Sequence, residues 1–154
     1  MTSPLRFCVR RVSTGEPDET SAVVTLVVPT DVTCIEEAVA LVTLHCLAGA
    51  RTLGQVRFRL QVALSEALAN AIIRGNREDP AKCVRVRAEL ARDVIRLHVT
   101  DEGAGFDPAA VPEPLDADGL RRASGRGLFL IRNLVDAVEF NERGNSICMT
   151  LRRR

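Results

Sequence analysis

Three short stretches carry the residues best suited to chemistry. Ser65-Glu-Ala-Leu-Ala-Asn70 sets a carboxylate, Glu66, four positions before an amide, Asn70. On a helix, positions i and i+4 stand one above the other on a single face. A carboxylate and an amide oxygen aimed at one point suit a magnesium ion, a water or a hydroxyl. Asp101-Glu-Gly-Ala-Gly105 follows an alternating apolar run, so Asp101 falls at a strand exit. A carboxylate there can accept from an exocyclic amine such as that of adenine, and Gly103 and Gly105 let the backbone turn and lie against a flat ring. In purely structural terms the same stretch is an ordinary Asp-x-Gly turn. Gly125-Arg-Gly127 stands just before Leu128, where a helix is predicted to begin. Glycines at a helix start leave N–H groups open to phosphate, and Arg121, Arg122 and Arg126 add positive charge. In purely structural terms this is a flexible loop.

The elements that must position these residues follow from periodicity. Residues 1–20 read as a polar tail or an edge strand, with strand character over Leu5–Val12, and residues 21–154 as one domain. Ala22–Val28 is a β-branched run stopped by Pro29, and so a strand. Thr33 followed by Glu36 is a capping-box pattern that opens a helix ending near Ala48. Its apolar side holds Ile35, Val39, Val42 and Cys46, with Leu41 and Leu44 beside it. A second helix is predicted over Leu53–Ile73, with Val56, Leu60, Ala63, Leu64, Ala67, Leu68 and Ala71 as its buried stripe. Glu66 and Asn70 fall on the margin of that stripe, where a polar pair faces a cleft beside the core. Gly75-Asn76 closes the helix.

Cys83–Leu90 and Ile95–Thr100 alternate cleanly across a turn at Arg92-Asp93 and make an antiparallel hairpin. Residues 103–126 lack any period and read as a lid. A third helix over Leu128–Asp136 and a hairpin of Ala137–Asn141 and Ser146–Arg152 complete the chain. The predicted fold is α+β: a two-layer sandwich, its mixed and mostly antiparallel sheet carrying helices on one face.

Composition narrows the function classes. The 154 residues suffice for one domain with a real core. Net charge is +1, which favours no polyanion, and aromatic residues are 3%, too few for base-stacking platforms, so no direct nucleic-acid contact is expected. Five scattered cysteines without C-x-x-C spacing fit buried thiols in a reducing compartment. No apolar run is long enough to span a bilayer, and residues 1–11 hold no signal-peptide core, so a cytoplasmic protein without membrane contact is expected. His45 and His98 lack a second ligand at useful spacing, and Ser65 lacks the base and orienting group a nucleophile needs. Arg57, Arg59, Arg85 and Arg87 read as solvated faces.

Taken together, the three stretches resemble the N, G1 and G2 boxes of the Bergerat-type ATPases, the superfamily of gyrase, histidine kinases and MutL. More narrowly, Ser65-Glu-Ala-Leu-Ala-Asn-Ala-Ile-Ile-Arg-Gly75 and Ser124-Gly-Arg-Gly-Leu-Phe-Leu-Ile-Arg-Asn-Leu-Val-Asp136 resemble the anti-sigma factor serine/threonine kinases over roughly residues 22–152. The resemblance implies ATP and Mg²⁺ as cofactors. It makes Glu66 the catalytic base toward a serine or threonine hydroxyl and Asn70 the magnesium ligand. It assigns Asp101, Gly103 and Gly105 to adenine, Gly125, Arg126 and Gly127 to the phosphates, and Ser146 to the place of a threonine near adenine. It further implies a homodimer that binds a sigma factor and phosphorylates a STAS-domain anti-anti-sigma protein. Two departures stand out: Arg74-Gly75 where the family often has His-Gly, and a lid without lysine. The alternative is a nucleotide-binding interaction module of the same fold, with little kinase turnover and a non-sigma partner.

Overall fold

A computed structural model describes residues 5–13, 20–47, 54–105 and 123–153. Arg121, Arg122 and most of the predicted lid lie outside these residues. The described chain forms strands β1 (Arg6–Ser13) and β2 (Thr20–Pro29), helices α1 (Ile35–Cys46) and α2 (Gly54–Asn70), strands β3 (Cys83–Leu90) and β4 (Val94–Thr100), helix α3 (Ala123–Leu134), and strands β5 (Ala137–Phe140) and β6 (Ser146–Arg152).

Among the described residues, six strands make one sheet in the order β1-β2-β3-β4-β6-β5. All five pairings are antiparallel, so the sheet expected to be mostly antiparallel is wholly so among the described residues. The register follows from the side-chain period of two. Val24, Ala88, Leu97 and Met149 pair across successive strands in one row, and Leu26, Val86, Val99 and Ile147 in another. A slip of one residue would turn both rows out to solvent. These rows face the helices, and α1, α2, Ile131 and Val135 complete the core. The opposite face is polar: Arg85, Arg87 and Arg96 are exposed there, and His98 pairs with Glu89 at 2.9 Å. The architecture is the predicted two-layer α+β sandwich. No helix among the described residues is long and apolar enough to cross a membrane.

All seven residues of the predicted α2 stripe, Val56 to Ala71, are buried. Three helix ends differ from expectation. The Thr33–Glu36 capping box does not form; Asp31 instead accepts from the Thr33 N–H at 2.9 Å and caps a 3₁₀ turn, Val32–Cys34, ahead of α1. Leu44, grouped with the apolar side of α1, is 62% exposed. The third helix starts at Ala123, not Leu128, and so takes in both glycines that were expected in a loop before it. α2 also ends differently. After Asn70 the helix widens into a π-turn, Ala71–Gly75, closed by the Asn76 N–H on the Ala71 carbonyl at 2.8 Å. Arg77 and Glu78 then take left-handed backbone angles, φ 52° and 56°. π-turns inside or at the end of α-helices concentrate at functional sites.

Candidate active site

The geometry groups the predicted residues at two places joined by α2. At the first, Glu66 and Asn70 lie half-buried one turn apart, beneath α3. A Cβ at Gly127 would stand 2.9 Å from Glu66 Oε2 and 3.1 Å from Asn70 Nδ2. The glycine therefore lets the α3 backbone close over both side chains. Gly125 and the exposed Arg126 stand two residues and one residue before it on the same helix. The Gly125 N–H belongs to the first-turn donors that have no acceptor within the helix. This end gathers a carboxylate, an amide and open N–H groups.

At the second place Asp101 leaves β4 and turns under the end of α2. A Cβ on Gly75 would fall 2.3 Å from Asp101 Oδ2, and one on Gly103 would fall 1.9 Å from the Gly75 carbonyl oxygen. Gly75 and Gly103 thus let the two chain segments touch with Asp101 between them. The Gly103 N–H donates to Asp101 Oδ1 at 2.8 Å, which leaves Oδ2 for an outside donor. Burial raises the Asp101 pKa from its ordinary value, partly offset by the Gly103 N–H and by the charges of Lys82 and Arg143. Glu66 precedes Gly75 by nine residues, which is about 13 Å along a helix axis. The two places are therefore spaced for an extended ligand with a ring at one end and an anionic chain at the other.

Two predicted site residues serve other neighbours. Gly105 has φ +83°, and a Cβ there would fall 1.7 Å from the Arg143 carbonyl oxygen, so this glycine seats the strand exit on the β5–β6 turn. Ser146 pairs with Thr100 in register, and their hydroxyls lie 2.7 Å apart. Side chains alternate along a strand, so this pair faces away from the helices while Asp101 faces toward them. The place cross-strand from Asp101 belongs to Asn145, whose carbonyl accepts the Asp101 N–H at 2.9 Å.

The structure adds residues that were not singled out. Asn76, read only as a helix end, is 0% exposed and bonds the Glu102 N–H. Asn145 donates its side-chain amide to the Asp101 carbonyl. Arg59 is only partly exposed: its Nε donates to the Leu134 carbonyl and its Nη2 meets Asp136 Oδ2 at 2.9 Å. It ties α2 to the far end of α3, whose start closes over Glu66. The Arg152 N–H, followed by Arg59, holds the Asp136 pKa below its ordinary value. The sequence signal for Arg59 was a basic residue on α2 seven positions before Glu66, two helical turns along the same side.

No group of three His, Cys, Asp or Glu among the described residues could hold a metal unaided. Magnesium ordinarily takes one or two protein oxygens and completes its shell with waters and phosphate oxygens. The Asn70 amide oxygen beside the Glu66 carboxylate fits such a partial site.

The described fold is a two-layer α+β sandwich, and the comparisons with known proteins show its family. The model of the histidine kinase-like ATPase domain family matches residues 28–151. The chain is 35% identical over 97 residues to the anti-sigma F factor of Oceanobacillus iheyensis, covering 59% of this chain and 66% of that one. It is 34% identical over 101 residues to the anti-sigma F factor of Clostridium beijerinckii, covering 62% and 68%. It is 33% identical over 98 residues to the serine-protein kinase RsbW of Staphylococcus aureus, covering 58% and 62%. The chain thus spans about two thirds of the length of these relatives. It belongs to the histidine kinase-like ATPase family, in the anti-sigma factor kinase branch.

Proposed function

We propose that the chain is an ATP-dependent serine/threonine protein kinase that acts as an anti-sigma factor in a partner-switching circuit. The observation that carries this reading is the meeting of Glu66 and Asn70 under Gly127, with Asp101 held against Gly75 in the π-turn that continues the same helix. Asp101 Oδ2 accepts the purine amino group. The open N–H groups at the start of α3, with Arg126, receive the phosphates. Asn70 supplies an oxygen to Mg²⁺. The bound Mg·ATP furnishes the transferable phosphoryl group and the charge neutralisation that phosphoryl transfer requires. Glu66 orients the acceptor hydroxyl and takes its proton. Its approach to the acceptor is set by the rigid helix that bears it.

The names of the relatives support the partner assignments. In this reading the acceptor is a serine or threonine on a STAS-domain anti-anti-sigma protein, the captured protein is a sigma factor, and the kinase works as a homodimer in the cytoplasm. Residues 21–154 form the kinase domain, and the strand before them extends its sheet.

Incubation with Mg·ATP and candidate STAS-domain proteins of the same genome tests the reading, with Glu66→Ala as control. Phosphate on a partner serine that disappears with Glu66→Ala is the expected result. Tight ATP binding with no transfer to any candidate would leave an interaction module. Failure to bind ATP, with Asn70→Ala indistinguishable from wild type, would remove both.

A further inference from the structure

We propose that Asn76 and Asn145, which lie outside the three motif stretches, are the positioning residues that set Asp101 against the purine ring. The inference rests on the reading of Asp101 as the partner of the adenine amino group.

Three consecutive N–H groups at the strand exit are committed to named acceptors. The Asp101 N–H donates to the Asn145 carbonyl at 2.9 Å, the Glu102 N–H to Asn76 Oδ1 at 2.8 Å, and the Gly103 N–H to Asp101 Oδ1 at 2.8 Å. The Asp101 carbonyl in turn accepts from Asn145 Nδ2 at 3.0 Å. Asn145 therefore holds both the N–H and the C=O of Asp101, and Asn76 holds the Glu102 N–H.

Each asparagine is itself anchored. Asn76 Nδ2 donates to Thr30 Oγ1 at 3.0 Å and to the Cys83 carbonyl at 2.9 Å, so the amide spans the ends of β2 and β3. Asn145 Oδ1 accepts from Asn141 Nδ2 at 2.6 Å, and its N–H returns to Asn141 Oδ1 at 3.1 Å. The chain also bends to put Asn76 there. The π-turn before it and the left-handed Arg77 and Glu78 after it deliver a polar side chain to a site with 0% exposure. Non-glycine residues hold left-handed angles only where the surroundings over-determine them. A site needed for packing alone would be filled by an apolar residue, since a buried amide must find all its partners. Here those partners join the end of α2, which follows Glu66 and Asn70, to the loop that carries Asp101.

The test compares the affinities of ATP and inosine triphosphate, whose ring has an oxygen in place of the amino group. Both are titrated calorimetrically with Mg²⁺ into wild type, Asp101→Asn, Asn145→Ala and Asn76→Ala, with melting temperatures measured alongside. Wild type prefers ATP, and Asp101→Asn abolishes the preference. Asn145→Ala and Asn76→Ala each weaken ATP by about fivefold to tenfold while inosine triphosphate changes by less than about twofold, as expected when one hydrogen bond is misaligned. Equal weakening of both nucleotides means that the asparagines only support the fold and overturns the proposal, as does an unchanged preference. A preference that survives Asp101→Asn, or is absent from wild type, overturns the reading of Asp101 itself and the inference with it. If Asn76→Ala does not fold, Asn145→Ala decides, because that side chain lies on a partly exposed turn.

Discussion

The two ends of the candidate site are built in different ways. Glu66 and Asn70 owe their convergence to helix geometry, and α3 passes over them with Gly127 at the point of closest approach. Asp101 owes its place to a loop whose successive N–H groups are all committed, two of them to residues far away in sequence. The base end is thus aligned by one rigid element and closed by another. The end proposed for adenine is locked by a network. A helix pair can part without breaking either helix, whereas moving Asp101 breaks several hydrogen bonds together. The difference suits the proposed function, in which the fixed end anchors the nucleobase and the end that holds Glu66 admits a second substrate.

Chemistry at the base end gives the largest expected effect. Glu66→Gln keeps the shape and loses the proton acceptor. Phosphoryl transfer to a STAS-domain acceptor should fall by about 10²–10⁴-fold, the usual contribution of a general base, with ATP affinity changed by less than about twofold. Radiolabel transfer and equilibrium titration measure the two quantities separately. A matching fall in affinity would place Glu66 in nucleotide binding and undo its assignment as the base.

The glycines separate the two ends more directly. An added methyl at Gly127 meets the far ends of the Glu66 and Asn70 side chains, which can swing aside, and alanine suits a helix better than glycine. Gly127→Ala should leave the melting temperature unchanged or higher while transfer falls by about 10- to 100-fold through misplacement of the base. An added methyl at Gly103 meets backbone, the Gly75 carbonyl at 1.9 Å. Gly103→Ala should therefore destabilise the fold by about 1–3 kcal/mol, as overpacking does, and weaken ATP binding. Denaturant melts and transfer assays on both variants check the contrast. Equal destabilisation by the two substitutions would erase it.

The same contrast explains what could be read from the sequence. The α2 stripe, the i, i+4 pair and the β3–β4 alternation are local periodicities, and the structure reproduces them because tertiary packing reinforces each one. The start of α3 was misplaced because Gly125 and Gly127 lower helix propensity, and packing over Glu66 overrides that deficit. The capping box over Thr33 and Glu36 was misread because Asp31, two residues earlier, competes for the same N–H. Asn76, Asn145 and Arg59 act on partners 26, 44 and 75 positions away, and no local pattern reports such distances. Ser146 was assigned by motif position, but the strand register gives the place cross-strand from Asp101 to its neighbour Asn145.

A smaller effect is expected where α2 is tied to the end of α3. Asp136 accepts from the Arg152 N–H at 2.7 Å and from Arg59 Nη2, contacts that favour its charged form. Its folded pKa is lowered, so its stabilisation is present above the unfolded carboxylate pKa and is lost as pH falls through the folded value. The side chain is 36% exposed, and solvent screening limits the Arg59 pair to about 0.2–1 kcal/mol. Asp136→Asn should lower the melting temperature slightly at neutral pH and have no effect below the carboxylate range. Because the tie lies at the far end of α3, loss of Arg59 should loosen the base end and slow transfer more than it weakens ATP binding. The reverse ranking would detach this tie from the base end.

The carboxylate at the locked end has the opposite sign, and its effect on stability should be the smallest. Burial raises the folded pKa of Asp101, so ionisation is penalised in the native state. Its contribution to stability is fully present below the unfolded pKa and is lost as pH rises through the folded value. Asp101→Asn preserves an oxygen acceptor for the Gly103 N–H and removes the buried charge. The variant should melt slightly higher than wild type at neutral pH, with the gain vanishing below the carboxylate range, the mirror image of Asp136→Asn. Melting curves across that range read both variants in one experiment. A loss of stability at neutral pH would mean that the network holds Asp101 as a favourable anion, and that the adenine end is stabilised by its charge and not kept in place despite it. A gain, together with weaker ATP binding, would show a group retained for its ligand at the expense of the fold.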